Sequence, residues 1–202
     1  VRDALTPEQV RLMRSVLSAE IEKEEKAGNI KESYTDRDSV NRRISVLMDR
    51  HECFRDLVAD EMALEMAEFI LGPSYLNESI LLHALSANVT RPGSRDMGIH
   101  GDTDFINPYF DAPLFARVIW FLDDFDEEVG ATRVVPKSHR FGHLPVKDGS
   151  VKYESVAAEG PAGSALIYDG RLYHGTGANK SKDRERAGVI AGRLAYGVGR
   201  IP

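Results

Sequence analysis

The sequence predicts an α+β fold in which helices come first and pack outside an antiparallel, jelly-roll core. Three observations carry that reading. Apolar residues recur at three- and four-residue intervals through the first 73 positions. From Glu78 onward the texture changes to short runs rich in β-branched and aromatic residues, separated by Gly, Pro, Asn and Asp. The strands follow the helices instead of alternating with them, which disfavours a parallel βαβ sheet. Residues 1–202 are read as one domain, mainly helical over 1–73 and jelly-roll over 78–202, since a chain of this length needs no second core.

Thr6-Pro7-Glu8-Gln9 opens the first helix: Thr6 can cap it, Pro7 suits the first helical position and Gln9 stands at capping-box spacing. Val10, Met13, Leu17 and Ile21 mark its buried face, and the charged run Glu20 to Lys26 is its solvated surface, ending at Gly28-Asn29. Residues 30–45 read as a polar connection. A second helical stretch covers 52–71, with a break near Asp60, apolar anchors at Leu57, Met62, Met66, Phe69 and Ile70, and a stop at Gly72-Pro73. Strands are expected at Ser79–Val89, Met97–Phe105, Leu114–Asp123, Thr132–Pro136, Ser164–Tyr168 and Gly188–Tyr196. The prolines Pro108 and Pro113 make the segment between the second and third of these a loop.

A net charge of −6 with no basic stripe argues against nucleic acid as a partner, and no apolar run approaches the roughly 18 residues of a membrane span. The single cysteine, Cys53, excludes an internal disulfide framework and fits a reducing compartment; the expected location is the cytoplasm. The sequence leaves the oligomeric state open.

The chemistry centres on His100-Gly101-Asp102. On an extended strand the side chains of residues i and i+2 leave the same face, so His100 and Asp102 can converge on one metal ion or simply form a polar pair on a solvated face. A third ligand must come from elsewhere, and His174 in Tyr173-His174-Gly175-Thr176 is the best candidate. Two histidines and one carboxylate with open positions suit non-haem iron(II).

Three segments in order, His100-x-Asp102, Gly130-Ala131-Thr132-Arg133-Val134-Val135-Pro136-Lys137-Ser138-His139 and Asp169-Gly170-Arg171-Leu172-Tyr173-His174-Gly175-Thr176-Gly177-Ala178-Asn179-Lys180-Ser181, resemble the phytanoyl-CoA dioxygenase family. The resemblance covers residues 84–196 and implies an oxygenase dependent on iron(II) and 2-oxoglutarate, with O2 as co-substrate, on a double-stranded β-helix of the jelly-roll or cupin-like kind. It implies His100, Asp102 and His174 as the metal ligands and a small organic molecule, not specifically phytanoyl-CoA, as substrate. Because Asp102 is present where related halogenases carry Gly or Ala, it implies oxidation, most simply hydroxylation, and disfavours halogenation.

The resemblance also implies an arginine at a fixed short spacing beyond the second histidine to take the distal carboxylate of 2-oxoglutarate. Counting to that position lands on Glu185, flanked by Arg184 and Arg186. Arg186 adjoins the apolar final strand and is preferred; Arg184, in a charged loop, is the alternative. Thr132 and Trp120 match family positions near the cofactor or belong to ordinary core packing, and Asn88 either offers an amide to the cofactor or ends a strand. Asp104 meets substrate, supports the metal site or faces solvent, while Phe105, Asn107 and Tyr109 are placed by location alone at the substrate entrance. His139 shapes a turn; His51, His83 and His143 carry no pattern. Two other classes fit the same residues: a cupin-like metal enzyme that does not use 2-oxoglutarate, and a jelly-roll binding module without catalysis.

Overall fold

The structure is a computed structural model that describes residues 1–29, 40–72, 80–106, 109 and 111–195. Pro73, Asn107, Tyr196 and the 30–39 part of the polar connection lie outside the described residues. Helix α1 (Pro7–Lys26) begins as its sequence dictates, with Thr6 accepting from the Gln9 amide and the Gln9 side chain accepting from the Thr6 amide. Met13, Leu17 and Ile21 are buried along one stripe. The charged run beyond them is structural: Glu20 and Glu24 receive Arg50, and Glu25 joins Arg42 to Arg91.

The stretch read as a polar connection holds strand β1 (Arg42–Ser45), in which only Ile44 is buried. One inward apolar residue gives too little alternation to reveal a strand. The break near Asp60 is present: α2 (Glu52–Asp56) runs into a 3₁₀ turn, and Asp60 caps α3 (Glu61–Leu71) by accepting from the Ala63 amide. His51 caps α2, its Nδ1 accepting from the Cys53 amide. Of the anchors expected on α3, Met62 and Ile70 pack against the core, but the fully buried face is Ala63, Ala67 and Leu71, and Phe69 needs correction because it is 76% exposed. Ala67 and Leu71 pack with Ala116, with Ile70 against the same cluster, so small side chains let the helix approach the sheet while Phe69 is turned away.

Seven further strands follow among the described residues: β2 (Ile80–Thr90), β3 (Phe115–Phe121), β4 (Thr132–Val134), β5 (Val156–Ala157), β6 (Ala165–Asp169), β7 (His174–Thr176) and β8 (Arg186–Ala195). They form a five-stranded sheet in the order β1-β2-β8-β3-β6 and a three-stranded sheet in the order β5-β4-β7, antiparallel throughout. The expected strand Met97–Phe105 is only partly extended. Its first half lies along β7, with Met97 donating to Thr176 O at 2.8 Å and His100 exchanging two backbone bonds with His174. Its second half is a turn, closed where the Gly101 amide donates to the Asp104 carboxylate at 3.0 Å; a carboxylate that satisfies local backbone donors competes with strand formation.

Strand parity divides the larger sheet into two faces. Leu85, Ala87, Val89, Val118, Trp120 and Val189 pack against Met13, Leu17 and Phe54 of the helices. Ile119, Phe121 and Tyr168 turn the other way, toward Phe125 and Ala131. Tyr168 there meets the His174 ring, with centroids 4.8 Å apart, so this inner face looks onto the smaller sheet. Directly paired residues of antiparallel strands share a face. The registers Thr90↔Arg186, Asn88↔Gly188↔Phe121, Ile190↔Ile119 and Gly192↔Arg117 therefore place all of these residues on the inner face.

Trp120 is thus not beside the cofactor region as expected. It is fully buried in the helix-facing core, one residue out of phase with the inner face. Among the described residues no helix is long and apolar enough to cross a membrane. Trp120→Ala should lower stability by about 3–5 kcal/mol, through lost burial and a cavity, while leaving metal and 2-oxoglutarate affinity unchanged. Chemical denaturation and calorimetric titration of the same variant measure both effects, and an altered cofactor affinity at unchanged stability would place the indole on the other face.

Candidate metal centre

Two strand edges bring together the residues that could hold a metal. His174 opens β7, His100 is bridged to it from the neighbouring extended segment, and Asp102 follows where its amide donates to Gly170 O at 2.8 Å. The close approach needs glycine at two places. A Cβ on Gly175 would lie 2.5 Å from Met97 O, and one on Gly170 would lie 2.7 Å from the Phe115 Cβ and 3.3 Å from that of Asp102. One ligand atom from each of His100, Asp102 and His174 lies within 4.8 Å of the others.

Both imidazoles are oriented in the same way. His100 Nδ1 donates to Gly98 O at 3.1 Å and His174 Nδ1 donates to Leu172 O at 2.8 Å, each to the carbonyl two residues earlier. A carbonyl can only accept, so the proton sits on Nδ1 and Nε2 is left as the ligand atom. The two rings are 4.3 Å apart between centroids. Burial pushes the His174 pKa down to about 4, against the opposing pull of Asp102, so the ring is neutral near pH 7. Neutral imidazole is the form that binds a metal.

Asp102 is held by Arg117 of β3, a residue the sequence reading passed over. Arg117 Nε donates to Asp102 Oδ2 at 2.9 Å and Nη2 to Oδ1 at 2.8 Å, a planar fork with both side chains largely buried. Burial alone would raise the Asp102 pKa, but Arg117, with the two histidines, outweighs it and holds the carboxyl below its ordinary value. A signal for Arg117 existed: it is the one charged residue in the otherwise apolar run Phe115 to Phe121, where a cation must find a partner. His83, which carried no pattern, sits where the β2 to β8 register shifts, a bulge that aims its ring toward Arg117 and edge-on to Phe115 at 5.2 Å. Burial, then Arg117, lowers the His83 pKa.

The other expected site residues divide. Thr132 is buried and pairs with Thr176, while Val134 pairs with His174, so Thr132, Thr176 and His174 share one face of the smaller sheet. Thr176, two residues past His174, is a further hydroxyl that the reading did not single out. Asn88 is on the inner face, 6% exposed, with Oδ1 buried and taking no hydrogen bond among the described residues. Arg186 is 2% exposed at the start of the inner row Arg186, Gly188, Ile190 and Gly192; its guanidinium donates to Gly130 O and lies 4.4 Å from the Phe125 ring centroid. Arg184 is a surface residue paired with Asp126 and Glu128. Glu185 points away from the inner face, to Arg14 and Arg91.

Asp104 does not face open solvent. It closes the turn on Gly101 and ion-pairs with Lys147, which occupies its carboxylate. Phe105 is 74% exposed, with its ring 6.1 Å from that of Phe115. Tyr109 lies near Asp111 and Arg171; its hydroxyl pKa is raised, first by burial and then by the Asp111 carboxylate. His139 lies in a 3₁₀ turn, within reach of Arg140 Nε at 3.3 Å and away from the metal ligands.

A dioxygenase named af480 from Aspergillus fumigatus is 31% identical over 157 residues, which is 77% of this chain and 49% of that protein. A dioxygenase named aneA from Aspergillus aculeatus is 37% identical over 108 residues, 50% of this chain and 36% of its own length. This chain therefore spans half or less of these relatives. Among solved structures, the non-haem alpha-ketoglutarate-dependent epimerase SnoN from nogalamycin biosynthesis superposes with a TM-score of 0.70 at 21% identity, covering 96% of this chain and 76% of its own. HygX from Streptomyces hygroscopicus, solved with nickel, 2-oxoglutarate and hygromycin B, superposes at 0.71 with 16% identity, covering 97% and 82%. These two likenesses speak for a common fold. The family model for phytanoyl-CoA dioxygenase (PhyH) matches residues 1–188, nearly the whole length over which these strands and ligands are laid out, and the chain belongs to that family.

Proposed function

We propose that this chain is an iron(II)- and 2-oxoglutarate-dependent dioxygenase domain that oxidises a small organic metabolite, most simply by hydroxylation, with release of succinate and CO2. The supporting observation is the convergence of His100, Asp102 and His174, with both Nδ1 atoms committed to backbone carbonyls. This donor set fits iron(II): two neutral imidazole nitrogens and one ionised carboxylate leave open positions for a cofactor and O2. SnoN and HygX, by their descriptions, use or hold 2-oxoglutarate with a metal, which supports the same pairing here. The two facing sheets are read as the double-stranded β-helix of such enzymes, in one domain. A cytoplasmic setting fits a chain whose one cysteine is buried and free.

Bound iron(II) and 2-oxoglutarate would supply the oxidising chemistry, using O2 and yielding succinate and CO2. The chain's own residues would bind and orient. His100, Asp102 and His174 would hold the metal, and the carbonyls of Gly98 and Leu172 would keep the imidazole nitrogens aimed at it. Arg186 would receive the distal carboxylate of 2-oxoglutarate, because its guanidinium is shielded from solvent and the aromatic face of Phe125 supports it. Thr132 and Thr176 offer hydroxyls on the face that carries His174, and the Asn88 amide has an acceptor to spare. Tyr168, whose ring packs on His174, would shield that side of the metal from water.

Anaerobic titration with iron(II) and then 2-oxoglutarate, followed by O2 and a substrate library, tests the reading through substrate-stimulated succinate release. Arg186→Lys should weaken 2-oxoglutarate about tenfold or more, in keeping with a charge-assisted fork worth roughly 1.5–3 kcal/mol. Arg184→Lys should change it little, since an exposed pair is worth about 1 kcal/mol or less. The reverse ranking would move the cofactor to the other arginine, and no binding of either metal or 2-oxoglutarate would remove the proposal.

Asp102→Ala should abolish metal binding and, unlike a simple ligand deletion, also destabilise the metal-free protein. It strands the Arg117 guanidinium, and breaking a buried pair costs roughly 3–5 kcal/mol. Denaturant unfolding of apo wild type and variant checks this; equal stability would mean that Arg117 relaxes to solvent.

The metal-free protein should lose stability as pH falls from about 6.5 toward 4. In that window an unfolded His174 binds a proton that the folded one refuses, so stability rises with pH. Thermal melts of apo wild type and His174→Gln across the range report it, and the variant should show the shallower slope.

A further inference from the structure

The guanidinium of Arg117 is only half used. Its Nε and Nη2 edge holds Asp102, whereas Nη1 makes no hydrogen bond among the described residues. The Nη1 and Nη2 edge is a second fork of the same geometry, and the side chain retains 15% of its exposure, so the guanidinium is not sealed from solvent. Nη1 lies over Gly192, only 2.2 Å from where a Cβ would stand, so the absence of a side chain at that position is what lets the fork extend across β8. His83 Nδ1 lies 3.5 Å from the same point, on the same face as Nη1. Phe115 lies below the guanidinium, 5.6 Å from Cζ to its ring centroid, and the exposed ring of Phe105 stands edge-on beyond it.

Charge balance gives this arrangement a direction. In the metal-free site Arg117 and Asp102 neutralise each other. Once Asp102 is committed to a divalent cation, Arg117 becomes a largely buried cation with one fork unfilled, a state that burial penalises unless an anion arrives. Arg186, at the opposite end of the inner row, is a separate cation and is assigned to the cofactor.

We propose, building on the oxygenase reading above, that the free edge of Arg117 binds a carboxylate of the substrate, so that the site takes an organic acid whose apolar body rests against the Phe105 and Phe115 side of the entrance. Arg117 is then both the positioning residue of the metal carboxylate and the recognition residue of the substrate, with one edge for each.

A carboxylate could also come from 2-oxoglutarate itself, and the experiment separates the two sources. Nickel(II)-loaded protein is titrated calorimetrically with 2-oxoglutarate. With that bound, it is titrated with matched pairs of carboxylate and primary amide: hexanoate and hexanamide, cinnamate and cinnamamide, 2-naphthoate and 2-naphthamide. At least one carboxylate should bind about tenfold or more tightly than its amide, as expected for a charge-assisted fork. That preference should vanish in Arg117→Gln protein that is still loaded with nickel and 2-oxoglutarate, although loss of the Asp102 fork also weakens both. Gly192→Ala, which leaves every charge in place but adds a Cβ 2.2 Å from Nη1 and 3.1 Å from Cζ and so shifts the rigid guanidinium, should also reduce the preference, and it keeps the test open if Arg117→Gln fails to fold. Three results would overturn the proposal: no carboxylate preferred over its amide in the wild type, a preference that survives both variants, or a loss confined to 2-oxoglutarate binding. Failure to bind nickel or 2-oxoglutarate at all would instead count against the oxygenase reading.

Discussion

The site depends on the fork between Arg117 and Asp102. His100 and His174 belong to one sheet edge and are tied by backbone bonds, but Asp102 lies in a turn that has already left that edge. What fixes its carboxylate is a side chain from the other sheet, at 2.8 and 2.9 Å. A pair of this kind adds little stability compared with an apolar replacement, yet losing one partner is expensive because the other is stranded. Such an arrangement makes sense where the geometry itself is needed, and here it holds one ligand of three against the two histidines.

The space around that fork is made by small residues. Gly170 and Gly175 let the ligand-bearing segments lie against β3 and β7 within distances that no side chain would permit. On β8 the inner row alternates Gly188 and Gly192 with Ile190, leaving room over the sheet where Arg117 and the Phe125 ring can reach. The opposite face of the same strands is closely packed with Ala187, Val189 and Ala191 against the helices. One face of the sheet carries the stability of the molecule and the other is kept open for chemistry, a division that a strand achieves through its two-residue repeat.

The protonation states follow from the same packing. His174 is neutral because it is buried, and its remaining proton is fixed on Nδ1 by Leu172 O, so the ligand atom is presented before any metal arrives. Tyr168 packs on that ring, and burial raises its hydroxyl pKa, keeping it a neutral neighbour.

Much was legible in the sequence because it depends on local pattern. The capping box of α1, the break at Asp60, the strand runs and the order of three motifs sit within short windows where propensity and spacing act directly. The three candidate ligands were readable for the same reason, as residue types whose spacing and motifs pointed to one pattern, and the structure brings their ligand atoms within 4.8 Å of one another. Other features depend on which face of a strand a residue occupies and what crosses over it. Trp120 looked like a cofactor neighbour, but the parity of β3 turns it toward the helices. Glu185 held the position counted for the anchoring arginine, and only the register of β8 shows that Arg186 points inward. Arg117 was visible as a charge inside an apolar strand, but its partner is set by a turn folded against Gly170, a contact between segments that no spacing along the chain encodes. Sequence alone determined the ligand types and the elements that carry them; tertiary structure decided which side chains meet, because convergence at a point is a property of register and close approach, not of composition.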